Sequence, residues 1–316
     1  MSTKIRHNIM HRWEGNPILT LRDIPPRASD LYNAGCMKHE GTYYLALTVE
    51  HLQGDCAIYC ARSDDGRHFT VDEEPMLSAS DEDADPEYES HGVRDARMTR
   101  FGDTVYMIYL AQSPHGVRLA LAGSHECGTT QRVGIISEPD TKTGALFPEK
   151  INGMYARLER PREGGNIWVS FSEDLIHWGG WEAVMTPRHG YWDYDRLGAG
   201  APPILTEHGW LLFYHGVRGL PGGDVFRLGA AFLDRDDPTN VIGRSNIPIL
   251  SPRERYERLG DVPNIVYCCG ALLSDDGETV EVYYGAADSC LCLGTVALEQ
   301  LLTACFRPES AERNCP

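Results

Sequence analysis

A β-hairpin recurs five times along the 316-residue chain, each time as an apolar strand, a tight polar turn and a strand that ends in aromatic residues. Each turn contains a glycine, which can adopt the positive φ that tight turns require. The five turn glycines are Gly41, Gly102, Gly153, Gly209 and Gly277. They lie 61, 51, 56 and 68 residues apart, and a repeat of this length predicts an array of similar small sheets.

A Ser-x-Asp turn follows most of these hairpins and adds a second pair of strands. It is clearest at 63–65 and 172–174, and weaker in LALAGSHE at 119–126. Four-stranded units at this spacing are typical of a β-propeller. We therefore predict an all-β fold, a single five-bladed β-propeller catalytic domain over residues 1–316 with the active site in its central funnel. Two β-sandwiches are the alternative, but no linker interrupts the middle of the sequence. The one helix predicted spans 296–305.

The balance of charge limits the partners of this chain. It contains 46 acidic and 29 basic residues, for a net charge of −17. Such a surface repels nucleic acids and anionic membranes, so neither is expected to bind. A neutral small molecule suits it, whereas an anionic substrate would require a local basic pocket.

The cysteines and the N-terminal sequence predict a compartment. Ten cysteines include no CxxC pair, which disfavours a zinc ribbon. The first residues form no apolar export signal, and no apolar run has the length of a membrane span. We expect a cytoplasmic protein with reduced, mostly buried thiols. A homo-oligomer is left open.

In a propeller the first strand of each blade lines the central channel, so polar groups at the starts of those strands should converge. The sequence predicts these positions to be Asn33, Asp95, Glu149 with Lys150, Pro202 with Pro203, and Gly270. A carboxylate placed like Asp95 suits general acid or base catalysis. The alternative is a structural ion pair with Arg94 or Arg97.

Basic residues are concentrated in the segment 141–161, namely Lys142, Lys150, Arg157 and Arg160. Arg157 and Arg160 are three apart, so they should point to opposite faces of a strand. Only one of them then faces the funnel, where it would favour an oxyanion such as phosphate. The alternative is a salt-bridged strand surface with Glu149 and Glu159.

Four further residues suit contacts with a sugar. His215 follows an apolar strand and can donate to an anion or a hydroxyl group, or it is a core histidine. Asp193 and Asp288 follow aromatic residues, an arrangement that suits ring stacking combined with hydroxyl binding. These two residues, and Asn33, are otherwise turn-capping residues.

Motifs for other chemistries are missing from the sequence. It contains no P-loop, Rossmann fingerprint, HExxH or GxSxG motif. The acidic run at 81–85 could hold a cation weakly, but such a run is more often a solvated loop. We expect no metal site and no cofactor.

Several segments, taken in order, resemble glycoside hydrolase family 130, the β-mannoside phosphorylases and related β-mannosidases. They are GNPIL (15–19), YNAG (32–35), RDAR (94–97), LFPEKINGMYARLERP (146–161), WDYDRLGAGAPPI (192–204), GWLLFYHGV (209–217), VPNIVYCCG (262–270) and YYGAAD (283–288). The resemblance covers nearly the whole chain, and it implies a five-bladed propeller.

The resemblance also implies roles for individual residues. Asp95 matches the family's single catalytic acid. The implied phosphate-binding residues are Lys142, Arg160 and His215, and the implied substrate-binding residues are Asn33, Arg97, Lys150, Asp193 and Asp288. The chain departs from the family at Arg94 and Ala96, where Glu and Pro are usual, and at Thr48, where many relatives have Arg.

The reaction implied is inverting, reversible phosphorolysis of a β-mannoside, with inorganic phosphate as co-substrate. The products would be α-D-mannose 1-phosphate and a shortened sugar, from β-1,4-mannooligosaccharides or from mannosyl-glucose or mannosyl-N-acetylglucosamine. An inverting β-mannosidase of the same family is the nearer alternative, and a non-catalytic glycan-binding propeller the more distant one.

Overall fold

The computed structural model describes residues 8–25, 27–124 and 130–307, in which five β-sheets form the blades of a propeller. The first strand of the chain is β1 (His11–Arg12). Blade 1 contains β2 (Ala28–His39), β3 (Thr42–His51), β4 (Cys56–Ser63) and β5 (Thr70–Leu77). Blade 2 contains β6 (Val93–Phe101), β7 (Thr104–Ser113), β8 (Gly116–Ser124) and β9 (Gln131–Ile135). Blade 3 contains β10 (Thr141–Leu146), β11 (Tyr155–Pro161), β12 (Ile167–Ser172) and β13 (Trp178–Met185).

The last two blades vary this plan. Blade 4 contains β14 (Arg196–Ala199), β15 (Ile204–Thr206), β16 (Gly209–Leu220), β17 (Gly223–Leu233) and β18 (Val241–Arg244), with β14 and β15 both paired to β16. Blade 5 contains β19 (Val266–Leu273), β20 (Thr279–Ala286) and β21 (Cys290–Ala297). The helices are α1 (Arg255–Arg258) and α2 (Leu298–Phe306), with 3-10 turns at Leu21–Asp23 and Glu163–Gly165. Neither helix is long and apolar enough to cross a membrane, a finding limited to the described residues.

The five predicted hairpins are confirmed. Each turn glycine lies just before the second strand of a blade hairpin or, for Gly209, at its first residue, and has a φ between 62° and 112°. The predicted helix is also present, but it begins at 298 because 296 and 297 still pair with β20. The weak Ser-x-Asp turn after β8 runs into 125–129, outside the described residues.

The ring is closed by a strand from the N-terminal part of the chain. β1 pairs antiparallel with β21 and so becomes the outer strand of blade 5. Arg12 donates two hydrogen bonds to the buried carboxylate of Glu257, at 2.7 and 2.8 Å. Residues 11 and 12 therefore tie the segment that precedes blade 1 to the last blade.

Apolar side chains fill the spaces between neighbouring blades. One cluster, for example, joins Leu211 and Phe213 of β16 to Val282 and Tyr284 of β20. Because each inner strand is covered on both faces, its residues are buried almost continuously. The eight cysteines within the described ranges are all buried; Cys127 and Cys315 lie outside those ranges.

The first strands β2, β6, β10, β14 and β19 surround the central channel, where β19 contacts β2, β2 contacts β6, β6 contacts β10 and β10 contacts β14, and where β19 meets blade 4 at β16 and β17. Of the predicted strand starts, Asn33 and Gly270 lie inside β2 and β19, and those of blades 3 and 4 lie outside the first strands altogether. Residues 149 and 150 lie in the loop that joins β10 to β11, and residues 202 and 203 follow a break after β14. A turn glycine marks the second strand of a hairpin, but it does not fix how far upstream the first strand begins.

Candidate active site

All five blades contribute to one cavity of about 710 Å³ at the central channel. Six of the residues singled out in the sequence line it: Asn33, Asp95, Lys142, Arg160, His215 and Asp288. They come from six different strands or strand ends, and the blade arrangement brings them together. We call this space the central cavity.

Irregular backbone positions several of these side chains. The pairings of β2, β6, β10 and β19 with their second strands each contain a register shift near the cavity. Asp95, Thr143 and Asp288 have φ values of 57°, 57° and 46°. Left-handed backbone is unfavourable for residues other than glycine and is concentrated at functional sites. The bulges therefore redirect side chains that a regular strand would alternate between its two faces.

Asp95 is held by two residues of blade 1. Its Oδ1 accepts a hydrogen bond from Asn33 Nδ2 at 2.8 Å, and its backbone N–H donates to Thr48 Oγ1 at 3.0 Å. Thr48 is fully buried. A Cβ at Gly285 would lie 2.5 Å from Asn33 Oδ1, so only glycine leaves room for that amide. The carboxyl group is thus fixed at the cavity wall, as a general acid must be.

Three cationic side chains face the cavity without a hydrogen-bond or ion-pair partner among the described residues. Arg94, Lys142 and Arg160 are half-buried, and none forms a salt bridge with any described residue. The Nε atoms of both arginines are buried, and neither has a hydrogen-bond partner in the part of the chain that the structure describes. Burial, followed by the charges of Arg94 and Arg160, lowers the pKa of Lys142, and burial lowers the pKa of Arg160. An anion in the cavity would relieve this repulsion.

His215 also lines the cavity, and its imidazole is a neutral N–H donor. Its ring lies 4.5 Å from the Tyr267 ring and 5.8 Å from the Phe226 ring, measured between centroids. A Cβ on Gly198 would approach its Cε1 to 2.3 Å. Burial, reinforced by Arg160, lowers the pKa of His215 well below its ordinary value. At neutral pH the imidazole therefore offers one N–H donor to a ligand.

Carboxyl groups also line the central cavity. Asp261 and Asp288 line it, and Asp30 lies close enough to interact with both. Burial, reinforced by the charge of Asp95, raises the pKa of Asp288 to about 7. A carboxyl group that is partly protonated at neutral pH can donate as well as accept a hydrogen bond, which suits binding to sugar hydroxyls.

Arg97 does not line the cavity, although the resemblance implied that it binds substrate. It is buried and donates to Gly200 O at 2.6 Å, to Ala199 O at 3.2 Å and to the Tyr267 hydroxyl at 3.0 Å. Because of the bulge between residues 94 and 97, the Arg97 side chain points in a different direction from that of Arg94. Arg97 therefore joins the inner strands of three blades beneath the cavity.

Asp193 and Lys150 also lie outside the central cavity. The buried carboxylate of Asp193 accepts hydrogen bonds from Arg188, Arg244 and Tyr214 at 2.7–2.9 Å. Lys150 is exposed in the β10–β11 loop, with its ammonium 4.2 Å from the Tyr155 ring centroid. The structure thus gives Asp193 an internal ion-pair network and Lys150 a surface position, and neither supports the substrate contact that the resemblance implied.

Sequence reasoning missed several cavity residues. Arg94 was expected only as an ion-pair partner or as a departure from the family pattern, and no role was predicted for Arg196, Asp261 or Tyr267, yet all four line the cavity. Arg196 opens β14 and Tyr267 lies in β19, so correct placement of the first strands of blades 4 and 5 would have found both. Asp261 lies in the loop before β19, where no periodic pattern marks it.

The acidic run at 81–85 serves an internal role. Arg132 binds Asp81 at 2.9 Å and Asp83 at 2.6 Å, and it also contacts buried Glu89. Across the described ranges no group of three His, Cys, Asp or Glu side chains could hold a metal ion.

The fold and the cavity define a five-bladed propeller enzyme whose central site combines a fixed carboxyl group with unpaired cations. The chain belongs to glycoside hydrolase family 130, whose model, described as beta-1,4-mannooligosaccharide phosphorylase, matches residues 17–307.

Relatives support this membership. The beta-1,2-mannobiose phosphorylase of Listeria innocua serovar 6a is 39% identical over 249 residues, which is 78% of this chain and 67% of the relative. The beta-1,4-mannooligosaccharide phosphorylase of Ruminococcus albus is 28% identical over 93% of this chain and 90% of its own. These relatives are named phosphorylases, which are glycosyltransferase-type enzymes, and the chain is an enzyme of this class.

A solved structure agrees with the fold. The Listeria innocua beta-1,2-mannobiose phosphorylase in complex with beta-1,2-mannobiose superimposes with a TM-score of 0.84 and 31% identity. The match covers 93% of this chain and 98% of that one. The five-bladed propeller predicted from the hairpin repeat is confirmed.

Proposed function

We propose that the protein catalyses inverting, reversible phosphorolysis of β-mannosides. Asp95 donates a proton to the glycosidic oxygen while a phosphate oxygen attacks the anomeric carbon from the opposite face. The bond from the anomeric carbon to the glycosidic oxygen breaks, and a bond to phosphate forms. The products are α-D-mannose 1-phosphate and a sugar shortened by one mannose. The transition state resembles an oxocarbenium ion, as in glycoside hydrolysis.

The set of unpaired cations carries this proposal. Phosphate would bind Lys142, Arg160 and the neutral His215, with Arg94 beside them. Charge-assisted hydrogen bonds of this kind contribute about 1.5–3 kcal/mol each. In a chain with a net charge of −17, such a cluster overcomes the general repulsion of an anion. Phosphate replaces both the water and the second carboxylate of an inverting hydrolase, so one acid suffices.

The mannose ring would lie between the phosphate and the Asp95 side of the cavity. Asn33 and Asp288 would bind its hydroxyl groups; the contact of Asn33 with Asp95 and the position of Asp288 in the same cavity support this. The relatives named above act on β-1,2 and β-1,4 mannosides. Both linkages are therefore substrates to test, and the greater identity to the first relative favours β-1,2.

Hydrolysis is the second candidate, because Asp261 and Asp288 also face the cavity. A carboxyl group with a pKa near 7 could activate water. The two reactions are separated by incubating the protein with β-1,2-mannobiose or β-1,4-mannobiose, with and without phosphate. Phosphate-dependent formation of mannose 1-phosphate is expected. Free mannose released at the same rate without phosphate would assign hydrolysis instead.

A further inference from the structure

A second cavity, of about 690 Å³, lies between blades 2 and 3; we call it the interblade cavity. The strand pair β10–β11 separates it from the central cavity. Thr141 and Glu159 line the interblade cavity, whereas their chain neighbours Lys142 and Arg160 line the central one. Successive residues of a strand point to opposite faces, so this strand pair is a wall shared by both cavities.

Aromatic side chains dominate one side of the interblade cavity. Three of the six tryptophans of the chain line it: Trp168, Trp178 and Trp181. The Trp181 side chain is 50% exposed, and Ile176 beside it is 47% exposed. An open aromatic face that borders a cavity suits stacking against the apolar face of a pyranose ring.

Buried polar groups lie at the base of the cavity. As the spacing of three residues predicted, Arg157 points away from Arg160, and it forms a buried ion pair with Glu159 at 2.5 Å. Its guanidinium also lies 4.1 Å from the Trp178 ring centroid. Arg157 Nε and Trp168 Nε1 are also buried, and no described residue forms a hydrogen bond with either of them. Buried donors of this kind call for water or a ligand hydroxyl, and the ion pair leaves no net charge to select an anion.

We propose that the interblade cavity binds a neutral β-mannooligosaccharide independently of the central cavity. Tryptophan faces would stack on the sugar rings, and the polar base would bind their hydroxyls. Its volume lies in the range of about 300–1,000 Å³ that is usual for ligand pockets. The choice of mannose rests on the proposed function, whereas the pyranose class rests on the tryptophans and the neutral polar base.

Calorimetric titration of the full chain tests this proposal. The protein carries Asp95→Asn and phosphate is omitted, so neither reaction consumes the ligands, β-1,2-mannotriose and β-1,4-mannohexaose. At least one ligand is expected to occupy two sites per chain. Adding Trp181→Ala should weaken one site by about fivefold, as expected for the loss of one ring contact, and Trp181→Phe should largely restore it.

The matched control is Phe306→Ala, which removes a 41% exposed aromatic side chain that lines neither cavity. It should leave both sites unchanged. One site per chain for both ligands, or two sites that Trp181→Ala does not alter, would overturn the proposal. A change of oligomeric mass on light scattering with Trp181→Ala would also overturn it, because the cavity would then be an interface between copies. Failure of the proposed function is read separately, from mannose 1-phosphate formation by the unaltered chain.

Discussion

Asp95 illustrates how much of this site is fixed by single residues. Its left-handed backbone is secured by Thr48, and its carboxyl group by Asn33. Asp95 could be singled out from the sequence because an acid between two arginines is conspicuous. Asp193 could not be excluded in the same way, because its partners Arg188 and Arg244 converge only in the fold.

Replacing Asp95 by asparagine should remove the proton donor and leave the fold intact, because the amide oxygen can still accept from Asn33. We expect kcat to fall by about 10²–10⁴-fold with an unchanged melting temperature. Steady-state kinetics and thermal unfolding measure both, with the exposed substitution Asp64→Asn as control. Turnover retained by Asp95→Asn would remove Asp95 from the role of acid.

Asp288 makes stability depend on pH. Its pKa is about 7 in the folded chain against 3.8 for an ordinary aspartate. Between about pH 4 and 7 the unfolded chain loses this proton while the folded chain keeps it, so rising pH lowers the free energy of unfolding. Asp288→Asn lacks this titration. Its stability relative to the unaltered chain should therefore increase from pH 4.5 to 7.5 in urea unfolding. A constant or falling difference would contradict the assigned environment.

At the scale of elements, the inner strands form regular antiparallel hydrogen bonds with their neighbours except at a few bulges. The hairpin turns could be predicted because glycine at positive φ is visible in sequence. The bulges at residues 94–97 and 142–145 could not, because they arise from packing around the channel. Arg97 was assigned to the substrate through the family resemblance, and without knowledge of the bulge nothing in the sequence shows that Arg94, and not Arg97, lines the cavity. The first strand of blade 3 was predicted too far along the chain for a different reason. The loop between β10 and β11 has eight residues, and its turn glycine, Gly153, lies near the end of that loop.

Gly198 in β14 lies against His215 in β16 and leaves no room for a side chain. An added methyl group would lie 2.3 Å from His215 Cε1 and 2.5 Å from Nε2, so Gly198→Ala must displace the imidazole. We expect the KM for phosphate to rise several-fold and the melting temperature to fall, since overpacking destabilises by about 1–3 kcal/mol. Gly179→Ala is the matched control, because that strand position has open space. An unchanged KM for phosphate in Gly198→Ala would separate His215 from the anion.

At the scale of the whole molecule, ring closure and site formation depend on each other. The five blades create the central cavity only if the last one is held to the first, and the strand that completes blade 5 comes from the opposite end of the described chain. The number of blades could be predicted from the hairpin repeat. The closing strand β1 could not be predicted, because a strand of two residues has no recognisable pattern of apolar residues.

Arg12 is the key ion-pair residue of this closure. Arg12→Ala would leave the fully buried Glu257 carboxylate without its cation, which costs about 3–5 kcal/mol when a buried pair is broken. We expect a loss of that order in urea unfolding. Lys38→Ala, which breaks an exposed pair with Asp275, should have no measurable effect. Equal effects of the two substitutions would show that closure does not depend on the buried pair.

A crystal of the protein soaked with phosphate and mannose tests the arrangement of the site most directly. We expect phosphate to contact Arg160, Lys142 and His215, and mannose to lie between it and Asp95. Phosphate bound elsewhere, or a central cavity that holds sugar but excludes the anion, would contradict the assignment of these cations to phosphorolysis.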